Sequence, residues 1–110
     1  MAVRAFTADP DSLLSEVRKA VSDGSITTWE IDSEGDFTHT SSQWRNRAWM
    51  RPRVLEDRLV FNIIAPKEVA MTRSVYAFYH GHLIQTLLSH FDRKMKTVSA
   101  TAKGTADDQY

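Results

Sequence analysis

The spacing of hydrophobic positions changes twice along this chain. In DPDSLLSEVRKAVSDG, beginning at residue 9, Leu13, Leu14, Val17, Ala20 and Val21 recur at helical spacing and share one face. Asp9 is placed to cap the first amides, Pro10 suits a first turn that needs no donor, and Gly24 can end the helix. The helical period returns after residue 72. Leu83, Ile84, Leu87, Leu88, Phe91 and Met95 form a broad apolar stripe, with Thr72 or Ser74 as the cap. Arg93, Lys94 and Lys96 close this second, longer helix, where the macrodipole favours cations.

Between the helices the period is two. ITTWEID puts Trp29 and Ile31 on one side, and Thr28, Glu30 and Asp32 on the other. SEGD reads as a turn that needs Gly35 at positive φ, and FTHTSS follows as a strand. From Ala48 to Leu55 the even positions Ala48, Met50, Pro52 and Val54 oppose Trp49, Arg51 and Arg53, and RLVFNIIAP makes a further strand. A hairpin turning at Glu56–Asp57 would set Val54 against Leu59, Pro52 against Phe61 and Met50 against Ile63. Every one of these pairs is apolar, so they define the buried face. Pro52 cannot donate to a ladder, which predicts an edge or a bulge there.

The order is α-β-β-(β)-β-α. It predicts a single α+β domain over residues 1–96: an antiparallel meander of three or four strands with both helices on one face. The small, polar stretch 97–110 is expected to be a disordered tail.

Composition then narrows the function classes. The chain of 110 residues has fourteen basic and fourteen acidic side chains, so no whole-molecule field gathers polyanions or an anionic membrane surface. It has no cysteine, which excludes disulfide scaffolds, thiol catalysis and zinc fingers and fits a reducing cytoplasm. MAVRAFTADPDS carries no long apolar segment, so neither signal nor transit peptide is expected. Apolar runs of a few residues fall far short of the roughly 20 that a membrane helix needs.

Three stretches carry candidate chemistry. QWRNRAWMRPR places Trp49 among Arg45, Arg47, Arg51 and Arg53. Their alternation is first the outward side of a half-buried strand, and Glu30 and Asp32 share its parity, so cross-strand ion pairs would neutralise it. Trp49, opposite Ile64 and near Val60, is not explained by a solvated face. An apolar spot rimmed by arginine is the usual anatomy of a protein interface. The alternative is that AVRAF or the C-terminal tail folds over Trp49.

YAFYHGHLIQTLLSHF holds His80, His82 and His90. Two residues apart on a helix, His80 and His82 lie on opposite faces, so they form no metal pair. His80 falls in the apolar stripe, bonded to a strand group, His90 lies at its margin, and His82 is expected in solvent. Tyr79, His80 and His39 could line a ligand pocket. Ser41, Ser42 and His39 are the other catalytic candidates, but no nucleophile elbow, phosphate loop or carboxylate pair supports them.

The order α-β-β-β-α is also that of double-stranded-RNA-binding domains. However, KEVAMTRSVY lacks the basic residues that such a module would place at the start of its last helix. The sequence therefore predicts a small cytoplasmic binding domain, not an enzyme, that forms a homodimer through Trp49, Arg45, Arg47, Arg51, Arg53, Val60 and Ile64. A small anionic ligand held by the arginines is the alternative, with a nucleic-acid module or small enzyme third. No cofactor or metal is expected.

Overall fold

In the computed structural model, which describes residues 2–110, the chain runs β1 (Ala2–Phe6), α1 (Pro10–Ser22), β2 (Trp29–Ile31), β3 (Phe37–His39), β4 (Trp49–Val54), β5 (Arg58–Ile64), α2 (Arg73–Phe91), β6 (Thr97–Ala100). A 3-10 turn over Asp92–Lys94 links α2 to β6. The fold is a single α+β domain, and all six strands pair antiparallel in the order β2-β3-β4-β5-β1-β6.

The helices start where their caps dictate. Asp9 accepts from the Ser12 amide, with Pro10 in the first turn, and Thr72 accepts from the Val75 amide. Gly24, just beyond α1, takes φ +84°, and Gly35 takes φ +85° in the turn between β2 and β3. There the Asp32 carboxylate accepts from the Glu34 and Asp36 amides.

The β4–β5 hairpin has the register its apolar pairs require: Val54 faces Leu59, Pro52 faces Phe61 and Met50 faces Ile63. Strand parity extends this inner face to Val3 and Ala5 on β1 and to Phe37 on β3. Leu13, Leu14 and Val17 of α1 and Val75, Tyr79, Leu83, Leu87 and Phe91 of α2 join the same buried cluster. Both helices therefore cover one side of the sheet. Among the described residues no helix is long and apolar enough to cross a membrane.

Three expectations are corrected. The sheet has six strands, not three or four, because both ends of the chain enter it. AVRAF does not fold over Trp49; it is β1, hydrogen-bonded between β5 and β6. Nor does the ordered chain stop at residue 96: Thr97–Ala100 form β6. Beyond it, the Ala65 amide donates to the Gln109 carbonyl (2.7 Å) and the Gln109 amide to the Ile63 carbonyl (2.9 Å). Residues 97–110 are too polar to announce a strand. What orders them is the row of main-chain groups that β1 and β5 present.

Candidate functional site

Two clusters of functional side chains flank the β4–β5 hairpin, one on each face of the sheet. On the outer face Trp49 stands opposite Ile64, Arg51 opposite Asn62 and Arg53 opposite Val60. Trp49 and Ile64 are both half-buried and lie outside the core cluster. Beside them is a shallow hollow of about 320 Å³, lined by Asp32, Ser33, Glu34, Asp36, Trp49, Arg51 and Ile64.

Three of the four arginines around this spot are engaged. Arg45 holds Glu30 through two hydrogen bonds of 2.9 and 3.0 Å. Arg51 forks onto the buried Asp36 at 2.9 and 2.8 Å and reaches Glu34 at 3.3 Å. The hydrogen bond to Asp36 drives the Arg51 pKa further up, against the effect of burial. Arg53 pairs with Asp107 of the C-terminal segment at 2.8 Å. Pairing with acids was expected, but of the two proposed only Glu30 bonds an arginine of the stripe. Asp32 is spent on its own turn, and Asp36 and Glu34 take its place. Arg47 is exposed in the turn before β4.

The C-terminal segment also changes the middle of the face. Thr105, Ala106 and Asp107 border the same hollow as Val60 and Asn62, and those two residues are only 3% and 5% exposed. The Asn62 amide donates to Thr105 Oγ1 (2.9 Å) and to Asp108 Oδ1 (3.0 Å). Val60 is thus closed off within the chain, and the half-buried apolar side chains on this face include Trp49 with Ile64 at one end and Phe6, under Arg58, at the other.

The inner cluster forms where α2 meets β2, β3 and the loop 40–48. Trp44 stacks on Phe78 (4.2 Å between centroids, 6° between planes), and Phe78 stacks on His82 (5.3 Å, 6°). His39 stands edge-on to Phe78, His82 and Trp29, at 4.9, 4.6 and 5.4 Å. Trp29 donates from Nε1 to Thr86 Oγ1 at 2.9 Å. The Tyr79 hydroxyl donates to the Trp44 carbonyl and accepts from the His39 amide at 3.4 Å.

The tautomer of His39 follows from its neighbours. Its Nδ1 accepts the Ser41 amide at 3.1 Å, with Ser41 Oγ at 3.0 Å, so the proton of the neutral ring sits on Nε2. That nitrogen and His82 Nδ1 are buried without a hydrogen-bond partner. Burial holds the pKa of both rings below the ordinary histidine value, and for His39 the neighbouring His82 lowers it further. A serine–histidine dyad needs an acceptor to orient the second ring nitrogen; His39 Nε2 meets aromatic rings instead. No group of three or more potential metal-ligating side chains occurs among the described residues.

The three residues expected to share a pocket are divided. Tyr79 and His39 meet, but His80 lies elsewhere on α2, buried beside Tyr76, with Nδ1 2.6 Å from the Tyr76 carbonyl. His82 is the correction: expected in solvent, it packs between Phe78, His39 and Trp29. The apolar stripe marks only the side of α2 that faces the sheet. The loop 40–48 packs a second side, and the signal for that was Phe78 and His82 four residues apart beside Trp44. Matched against protein families, curated proteins and solved structures, the chain resembles none of them.

Proposed function

We propose that this is a small non-enzymatic binding domain, working in a reducing compartment, that recognises a protein surface through its outer sheet face. The partner is a second copy of the chain. The observation that carries this reading is the Trp49–Ile64 pair: two large apolar side chains, opposite one another, on the side of the sheet without helices. An aromatic anchor inside a polar rim is how protein interfaces concentrate their energy. Here Glu30 and Asp36 already hold Arg45 and Arg51, so little side-chain freedom is left to lose on association.

The same ion pairs argue against anion or nucleic-acid recognition. A phosphate would have to displace a bidentate carboxylate from each guanidinium. Heparin is therefore expected to bind weakly at physiological salt. Tight binding with a steep salt dependence would favour the polyanion instead.

Trp49→Asp tests the reading. It buries a charge in any interface centred there but leaves the inner face untouched. The variant should keep the wild-type circular dichroism and sediment at half the mass. Equal masses for the two proteins would refute association through this face.

A further inference from the structure

The two edges of the sheet are not alike. The β2 edge is three residues long, Trp29–Ile31, and carries Glu30 with Asp32 just beyond it. Short strands and charged side chains are how proteins protect an edge from pairing with another chain. The β6 edge is also short, at four residues, but it lacks the charged side chains. Thr97–Ala100 are uncharged and contain no proline, and Thr97, Ser99 and Ala100 are exposed.

The register tells which main-chain groups of β6 are free. In an antiparallel ladder, hydrogen-bonded pairs alternate with non-bonded ones. The Thr7 amide donates to the Asp57 carbonyl, so alternate residues Thr7, Ala5 and Val3 turn their main chain to β5. Ala2, Arg4 and Phe6 then turn theirs to β6, where they face Thr101, Ser99 and Thr97. The Thr101 amide donates to the Ala2 carbonyl at 2.9 Å, as this requires. Val98 and Ala100 are left with both amide and carbonyl directed outward.

The local sequence then says what fits there. Residues 97–101 read Thr-Val-Ser-Ala-Thr, which is chemically almost the same in both directions. We infer that β6 pairs antiparallel with β6 of a second copy, about a two-fold axis at Ser99, joining two six-stranded sheets into one. In this register Val98 faces Ala100 of the other copy and exchanges two hydrogen bonds with it. The symmetric pair adds two more, so every outward group of both strands is used. Thr97 meets Thr101, Ser99 meets Ser99, and Lys96 falls opposite Ala102, so no like charges oppose one another. Small side chains flank the axis and let the backbones approach. The inner faces of the two copies lie on the same side, as strand parity demands.

This contact is separate from the Trp49 face, and its axis is perpendicular to the sheet. The two contacts can therefore be tested independently. The natural chain has no cysteine, so a single one reports position. Ser99 would face its own copy in a non-hydrogen-bonded pair, with Cα atoms about 4.5 Å apart, within the range of a disulfide. Under mild oxidation Ser99→Cys should form a covalent dimer at least tenfold faster than Thr101→Cys, which would lie roughly 13 Å from its own copy. Ala100→Pro removes an outward amide, a change that an edge strand tolerates, and should halve the mass with the circular dichroism unchanged.

The inference is overturned if Ser99→Cys does not cross-link or does so no faster than Thr101→Cys. It is equally overturned if a folded Ala100→Pro variant keeps the wild-type mass. Cross-linking of Ser99→Cys with no change of mass in Trp49→Asp would uphold the edge contact and reject the outer-face contact. The reverse pattern would do the opposite.

Discussion

The sheet is closed on its two flanks by different means. On one flank β2, β3 and the loop 40–48 are neighbours in sequence, and α2 clamps them through Trp29, His39, Trp44, Phe78, Tyr79 and His82. On the other, β1 and β6 come from opposite ends of the chain, with Val3 facing Ala100. Polar side chains that reach main chain hold that flank: Thr7 Oγ1 donates to the Lys94 carbonyl, and the Ala2 amide donates to Thr101 Oγ1. Ring packing dominates the local flank, whereas the distant one adds directional bonds to the burial of Val3 and Ala5.

The largest effect expected from breaking this contrast is at Asp108. Its carboxylate accepts from the Asn62 amide, the Ile63 main chain, and both the amide and hydroxyl of Thr105. Asp108→Ala leaves the buried Asn62 without that partner and should cost about 3 kcal/mol, a fall of roughly 10–15 °C in Tm. Amide exchange should rise most at residues 101–110 and at the end of β5, and stay unchanged in β2 and β3. Uniform exchange would mean that the flanks are not separate.

Acid should separate them next. Burial lowers the pKa of His39 and His82 below 6.5 in the folded chain. Between the folded value and 6.5 the unfolded chain binds more protons, so stability is complete above 6.5 and falls as the pH drops below it. Burial raises the Asp108 pKa, but hydrogen bonds from Thr105, Asn62 and Ile63 contribute to a net lowering, so its contribution persists until much stronger acid. The ring flank should loosen first, with Trp29 and Trp44 fluorescence shifting between pH 7 and 5. His82→Phe keeps the stack on Phe78 and should flatten the Tm profile over that range. An unchanged slope would remove His82 from the account.

The smallest effect is expected at the surface. Arg45 and Glu30 are about half exposed, and such pairs contribute less than about 1 kcal/mol. Arg45→Ala should move a urea midpoint slightly, and 0.5 M salt should abolish the difference. A larger loss would show that the pair secures the ring flank.

The same contrast governs what could be read from the sequence. The β4–β5 register, the two helix caps and the Gly35 turn were legible, because each depends on residues close together and on a period that burial imposes. Trp49, Ile64, Arg51 and Arg53 were legible as one outward face for the same reason, whereas Arg45 and Arg47 lie in the turn before β4 and owe nothing to the strand period. The strand at 97–100 was not, since Thr-Val-Ser-Ala carries little apolar signal and becomes a strand only beside β1. Nor was the place of His82: a helical period marks one buried side and is silent about a second. The closure of Val60 depended on where residues 105–107 settle, which no local pattern contains.

β1 is the first strand of the chain and lies inside the sheet, between β5 and β6. Its neighbours are completed some 60 and 100 residues later. During synthesis it must wait as an unpaired apolar segment while α1 and the β4–β5 hairpin form, and closing so long a loop is slow. Folding of this domain should therefore be limited by the capture of its earliest strand. In that interval AVRAF is the stretch most open to chaperones or to the wrong strand. Mutations that slow the docking of β1 would lower the yield of folded protein more than its final stability.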